Sequence, residues 1–183
     1  PTAAPAMTAP TTAPPLAPAG GKPVKVGVGI ADVMCGMYAT VGVLAALRHR
    51  DRTGEGQHID LALYDSQVAW LINAATNHLV SGRVPKPLGN AHPNLAPYQT
   101  FAASDEYLAV AVGNDTQFQR FAEAIGLGGL ALDDRFRRNR DRLVNLEELQ
   151  ALIQAEIAKD TALSWEKRLL GAGVPAGRVA TID

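Results

Sequence analysis

The order of apolar patterns along this chain predicts an α/β fold. Three observations support it: a helix-spaced apolar stripe follows Asp32, two short extended segments flank a polar turn at Ser104-Asp105, and helical patterns fill most of residues 116–171. The predicted order is helix, strand, helix, hairpin and three helices. Nothing repeats at a fixed period, which argues against a solenoid.

The first predicted helix starts at Asp32 and ends near Arg50. Its apolar residues recur at spacings of three and four, as in an amphipathic helix: Met34, Met37, Val41, Leu44 and Ala45. Basic residues 48–50 suit the negative end of the helix dipole, and two glycines follow. Asp32 is then predicted to be the N-cap, whose carboxylate accepts hydrogen bonds from free backbone N–H groups.

The remaining elements follow from the same signals. We predict a strand at 58–63, a helix at 64–80, a hairpin of strands 98–103 and 106–113, helices at 116–125, 143–158 and 164–171, and a final extended piece at 178–182. The arginine-rich stretch 133–145 alternates with aspartates, which favours a solvated, salt-bridged surface over a phosphate site.

Composition divides the chain into a tail and two parts. Residues 1–23 contain seven of the twelve prolines and few large apolar side chains, so they are predicted to be a disordered Pro/Ala-rich tail or linker. Residues 24–84 form the part that contains Asp32, and residues 85–183 form a small α/β domain. A loop at 81–97, rich in glycine and proline, lies at their junction and is either a functional loop or a plain connector.

Charge and cysteine content exclude several functions. The formal net charge is −1, so we expect no attraction to nucleic acid or to an anionic membrane. We also find no uninterrupted apolar run long enough to span a bilayer. The single cysteine, Cys35, fits a reducing compartment, and we expect a cytoplasmic protein. The histidines show no zinc-like spacing, so no metal is expected.

A family resemblance extends from about Pro23 to Asp183. The chain resembles the family III CoA-transferases through the run GIADVMCGMYATVGVLAALRHRDRTGEGQHIDLALYDS. Within that family, the segments LALYDSQVAWLINAATNHLVSG, GNAHPNLAPYQTF and AVGNDTQF are most similar to the succinyl-CoA:glutarate-type dicarboxylate transferases. The expected substrates are therefore an acyl-CoA and a small carboxylic acid, with coenzyme A carried as a thioester substrate and no cofactor bound permanently.

The resemblance also implies roles for particular residues. Asp32 occupies the position of the family's nucleophile, and Leu63 matches a position beside the coenzyme, where it would contact the pantetheine arm. A lid that closes over the acyl-aspartyl intermediate would comprise Gly89, Asn90, Ala91 and His92, where formyl-CoA transferases have a run of glycines. Residues 24–84 would then be part of a large, Rossmann-like domain, in a family whose members form interlocked homodimers.

Two alternatives remain open at this stage. α-Methylacyl-CoA racemases share the fold and use the matching aspartate as a proton-transfer base, but they have glycines where this chain has Val33, Met34 and Cys35. The second alternative is a truncated chain that only folds or associates, because family members are longer and have a coenzyme-binding part before Asp32. Asp32 would then be only a helix cap.

Overall fold

A computed structural model describes Gly21 and residues 27–182. The chain divides into two compact units, one spanning Gly21–Pro87 and the other containing Leu88–Asp183. The sequence-based boundary after residue 84 lies three residues before this division. Apart from Gly21, the predicted tail at 1–23 lies outside the described residues.

The first unit is helical. It contains α1 (Ile30–Thr53), α2 (Leu63–Val68) and α3 (Ile72–Ser81), with one turn of 3₁₀-helix, Ala69–Leu71, between the last two. α1 packs against α2. The prediction of a helix at 64–80 is confirmed, although the 3₁₀ turn interrupts it.

Gly54 ends α1 one turn later than predicted. It has the left-handed φ of +78°, and its N–H donates to the carbonyl of Arg50 at 2.7 Å. Glycine adopts this conformation without the steric cost of a Cβ, so it commonly follows the last helical residue. The basic residues at 48–50 therefore lie inside the helix and do not terminate it.

The predicted strand at 58–63 is wrong. Residues 55–62 have no regular secondary structure, and Leu63 already begins α2. Ala62 does have extended dihedral angles, φ −114° and ψ 137°. A strand also needs a hydrogen-bonded neighbour, and the described part of this unit offers no other extended segment with which to pair.

Apolar side chains of the first unit are largely uncovered. Ser66 is the one buried residue that the structure describes in this unit, and α1 has no buried residue. By length and composition alone, α1 could cross a membrane, because Asp32 is its one charged residue before Arg48. This corrects the expectation that no segment has that character; the core helix of a water-soluble fold passes the same test.

A three-stranded antiparallel sheet forms the second unit. β1 (Tyr98–Ala102), β2 (Tyr107–Ala111) and β3 (Ala176–Arg178) lie in that order across the sheet. The predicted hairpin and its turn are confirmed, and Ala103 N–H donates to the Glu106 carbonyl across the turn at 2.9 Å. The last strand begins two residues earlier than the predicted extended piece at 178–182.

Four helices accompany this sheet: α4 (Asp115–Ala124), α5 (Asn139–Val144), α6 (Leu146–Ile157) and α7 (Ala162–Gly171). A short 3₁₀-helix, Gly128–Ala131, follows α4. The helix predicted at 143–158 is divided at Asn145, whose side-chain amide donates to the carbonyls of Arg135 and Asp141 at 3.1 and 2.9 Å. Asparagine competes well for backbone groups in this way, so it ends α5.

One face of the sheet covers the core. α6 packs against β1, and α7 packs against β2 and β3. Buried apolar side chains from strands and helices fill the space between them, and the largest are Phe101, Leu108, Val110, Phe118, Phe121, Phe136, Leu149, Ile153, Ile157 and Leu169. The opposite face of the sheet carries the small side chains of Thr100 and Ala109.

The arginine-rich stretch is a salt-bridged surface with one exception. Arg135 pairs with Asp133 at 2.6 Å, and Arg137 pairs with Asp134 at 3.2 Å, with all four side chains partly or largely exposed. This part of the prediction is confirmed. Arg142 contradicts it, because only 1% of its surface is exposed.

Arg142 connects α5 to three other segments of the second unit. Its Nε donates to the Ala96 carbonyl at 2.6 Å, Nη1 donates to the carbonyls of Phe136 and Arg137, Nη2 donates to Asp115 Oδ1 at 2.8 Å, and the guanidinium lies over the Phe118 ring at 4.2 Å. Burial lowers the pKa of Arg142, and the Asp115 carboxylate opposes that shift. The charge is thus retained inside the unit by hydrogen bonds on every nitrogen.

Replacing Arg142 with methionine is expected to lower the free energy of unfolding by about 3 kcal/mol or more, because several buried carbonyls lose their donor. The matched control is Arg140→Met on the same helix. The Arg140 side chain is 75% exposed, and its one ion pair with the described residues is with Asp141. That change is expected to cost less than about 0.5 kcal/mol. Urea unfolding followed by circular dichroism measures both, and equal costs would contradict the structural role of Arg142.

Candidate functional site

Asp32 lies in the first turn of α1, at the third helical residue. The N-cap is Gly29, whose carbonyl accepts hydrogen bonds from the N–H groups of Asp32 and Val33, both at 3.1 Å. The prediction that Asp32 is the N-cap is therefore wrong. The helix starts earlier because Gly29 supplies its first carbonyl, although the apolar stripe becomes regular only after Asp32.

The Asp32 carboxylate is exposed and folds back toward Gly29. A Cβ on Gly29 would lie 2.9 Å from Asp32 Oδ2, so the absence of a side chain there leaves room for the carboxylate. No hydrogen bond or ion pair joins this carboxylate to another residue in the described part of the chain. Asp32 thus lies at the end of α1 that carries the positive end of the helix dipole. The geometry suits a carboxylate that is available to react.

Leu63 begins α2 in the same unit. It was predicted at the end of a strand, whereas it is the first helical residue after the extended Ala62. Its side chain is 52% exposed. An exposed apolar side chain at a helix start is available for contact with a ligand, but nothing among the described residues assigns one to it.

The four predicted lid residues lie together at the start of the second unit. Gly89 has a φ of +63°, and Ala91 N–H donates to the Leu88 carbonyl at 3.2 Å, which closes a turn. The segment is folded against β1: His92 N–H donates to the Tyr98 carbonyl at 2.9 Å, and the two rings stack with centroids 5.1 Å apart. A β-branched residue at position 89 would be strained, because it disfavours the left-handed conformation of this turn.

Asn90 provides a second contact between this segment and β1. Its side-chain amide donates to Thr100 Oγ1 at 2.6 Å. Thr100 lies between Gln99 and Phe101 in the strand and pairs with Ala109 of β2. Since Phe101 is buried in the core, the alternation of a strand directs Thr100 to the opposite face.

A hollow of about 500 Å³ lies on that opposite face. Its lining includes Gly89 and Asn90 from the predicted lid, and Pro175 just before β3. The other lining residues come from all three strands: Tyr98, Gln99, Thr100, Ala109, Val110, Ala111, Ala176 and Gly177. We call it the sheet hollow. No charged side chain is among the lining residues. Sequence reasoning missed it, although small residues at alternate positions of both hairpin strands were a visible signal.

No group of three or more histidine, cysteine or acidic side chains that could hold a metal occurs within Gly21 and residues 27–182. Asp32 and Leu63 belong to the first unit, and the four lid residues belong to the second. Each unit therefore contains its own set of candidate residues.

Comparison with known proteins places these features in a family. The sequence model of CoA-transferase family III matches residues 3–183. A succinate–glutarate CoA-transferase of Agrobacterium fabrum is 45% identical over 168 residues, which cover 89% of this chain and 41% of that protein. An acetyl-CoA:oxalate CoA-transferase of Acetobacter aceti is 36% identical, with coverage of 86% and 41%.

Solved structures give the same answer for the fold. A crystal structure of a CAIB/BAIF family protein from Brucella suis superposes with a TM-score of 0.70 at 43% identity, covering 90% of this chain and 44% of that chain. This chain spans about two fifths of the length of the relatives it matches. Because the family model matches nearly its whole length, the chain belongs to CoA-transferase family III.

Proposed function

We propose that this chain supplies the nucleophile-bearing part of a CoA-transferase that moves coenzyme A between small, dicarboxylic acids. Membership of the family and the names of its relatives, which include succinate, glutarate and oxalate transferases, support this activity. The observation that carries the proposal is the exposed Asp32 carboxylate in the first turn of α1. Coenzyme A enters as an acyl thioester substrate.

The proposed reaction begins at the Asp32 carboxylate. One oxygen bonds to the thioester carbonyl carbon, the carbon–sulfur bond breaks, and its electron pair leaves with the sulfur as the CoA thiolate. The thiolate then attacks the aspartyl carbonyl of this anhydride and expels the first acid as a carboxylate, which leaves an aspartyl-CoA thioester. Free backbone N–H groups at the amino end of a helix can stabilise oxyanions of this kind.

The second half of the reaction reverses these steps with a new acid. The incoming carboxylate attacks the aspartyl thioester and releases the thiolate again. The thiolate attacks the substrate-derived carbonyl of the new anhydride, which forms the product thioester and regenerates Asp32. A proton-transfer role for Asp32, as in a racemase, would need no covalent intermediate.

We further propose that the first unit is an incomplete part of the large domain. A helix that is apolar on all sides is buried either in a protein core or in a membrane. α1 is such a helix, and its relatives have more than half of their length outside the matched region. We propose that this additional part of the family protein covers the apolar surface of α1. The complete protein is proposed to be a cytoplasmic homodimer.

The residues Gly89 to His92 are proposed to form the lid over the intermediate. They line or adjoin the sheet hollow, and their turn depends on one left-handed glycine. A lid of this kind excludes water, which would otherwise hydrolyse the anhydride. Leu63 remains a candidate contact for the pantetheine arm.

Changing Asp32 to asparagine is expected to reduce CoA transfer by at least about a thousandfold, because an amide cannot form the anhydride. Stability should fall by no more than about 1 kcal/mol, since only the favourable charge–dipole interaction is lost. Activity is measured as steady-state transfer by the full-length Agrobacterium relative with the equivalent change. Stability is measured by thermal unfolding of this chain. Asp65→Asn is the matched control, because Asp65 also lies exposed in the first turn of a helix. Equal activity of the two variants would contradict the nucleophile role.

Changing Gly89 to valine is expected to slow transfer and to raise the fraction of acyl-CoA that is hydrolysed, because valine cannot adopt a φ of +63° without strain. The ratio of hydrolysis to transfer measures the effect in the complete enzyme. Gly89→Asn is the control, since asparagine tolerates this conformation. A ratio that is the same for valine, asparagine and glycine would argue against a lid.

Exposed apolar side chains on α1 are expected to make the isolated chain self-associate. Val41 and Leu44 are more than 60% exposed, so the double change to lysine should shift sedimentation toward the monomer. Val144→Lys is the control in the second unit, where Val144 is also exposed. A compact monomer of the unmodified chain in analytical ultracentrifugation would contradict this expectation.

A further inference from the structure

We infer that Thr100 is the positioning residue of the lid: its hydroxyl holds Asn90, and through Asn90 it fixes the turn at Gly89 over the sheet hollow. The effect of this contact on the reaction rests on the proposed lid. The contact itself joins two side chains of the second unit.

The contact is short and well defined. Asn90 Nδ2 donates to Thr100 Oγ1 at 2.6 Å, between residues that are ten apart in sequence. Asn90 has no other side-chain hydrogen bond with the described residues. The amide is therefore oriented by one hydroxyl.

The acceptor is on a rigid support. Thr100 lies in the middle of β1 and pairs with Ala109 across the hairpin. The next residue, Phe101, is buried in the core. Its β-branched side chain has restricted rotamers in a strand. The hydroxyl thus has a fixed position relative to the sheet.

The cross-strand neighbours of Thr100 offer no substitute acceptor. The residues beside Thr100 across the sheet are Ala109 and Gly177, which have no polar side chain. Gln99 lies on the core side of the strand and bonds to Gln150. If the Thr100 hydroxyl is removed, Asn90 loses its one side-chain hydrogen bond with the described residues.

The lid segment has a second, independent anchor at its other end. His92 N–H donates to the Tyr98 carbonyl, and the His92 ring stacks on Tyr98. Removal of the Thr100 hydroxyl should therefore release the half of the segment that contains Gly89 and Asn90 while the His92 half stays in place. This asymmetry gives the inference a residue-specific test.

The test is amide hydrogen exchange, resolved by residue in NMR spectra of the chain, for Thr100→Val and Thr100→Ser. Valine has the shape of threonine and keeps the strand, but it has no hydroxyl; serine retains the hydroxyl. Exchange of the Ala91 N–H, which bonds to the Leu88 carbonyl, is expected to be about three to ten times faster in Thr100→Val, the effect of one lost hydrogen bond. The His92 N–H should stay within about twofold, and Thr100→Ser should behave like the unmodified chain.

Ala91 exchange that is unchanged in Thr100→Val, or equally accelerated in Thr100→Ser, would overturn the inference. The ratio of hydrolysis to transfer in the complete enzyme is the second measurement, and it should rise for valine and recover with serine. Faster exchange with an unchanged ratio would support the anchor and contradict the proposed role of the lid. Failure of the inference and failure of the proposed function are thereby separated.

Discussion

The buried guanidinium of Arg142 is the interaction on which the second unit depends. It donates to the carbonyl of Ala96, just before β1, and to Asp115 at the start of α4. From the same helix, Asn139 accepts from the Ala96 N–H and donates to the Asn94 carbonyl. Arg142 and Asn139 of α5 thus both hold the segment that connects the predicted lid to β1. Tyr98 and Thr100, which contact the predicted lid segment, lie in the strand that follows this supported segment.

A different constraint governs the first unit. α1 is apolar on all sides and has no buried residue, so the described part of its own unit does not cover its apolar side chains. Residues 55–62 before α2 lack regular structure for a related reason, because a strand requires a neighbour and the described part of this unit offers none. Both features are explained if the sequence is adapted to a larger fold, and the relatives are indeed more than twice as long as the matched region. The chemistry of Asp32 is therefore proposed for the complete protein.

Local patterns in the sequence predicted much of the fold. Helix α1, the hairpin around Ser104-Asp105 and the helices of the second unit were all predicted, since each depends on residues close in sequence. The amphipathic stripe expected on α1 is not found, because the helix is apolar on all sides. The errors occurred where distant contacts decide. Arg142 could not be separated from its exposed neighbours, because its burial depends on Ala96 and Asp115, which are far away in the chain.

The candidate site also combines features that the sequence indicates with features that depend on distant contacts. The roles of Asp32 and of the lid segment come from family resemblance and stay predictions. Periodicity placed the start of α1 at Asp32, whereas Gly29 is the N-cap. The hydrogen bond between Asn90 and Thr100 depends on how the loop folds onto the strand, so no spacing in the sequence indicated it.

The covalent role of Asp32 is tested most directly by trapping. The complete enzyme is incubated with acyl-CoA and hydroxylamine, and its peptides are then analysed by mass spectrometry. The mechanism predicts a hydroxamate on the Asp32 side chain, because hydroxylamine intercepts an activated aspartyl carbonyl. An unmodified Asp32, with solvent deuterium entering the α-carbon of the acyl group, would contradict it and point to racemase chemistry.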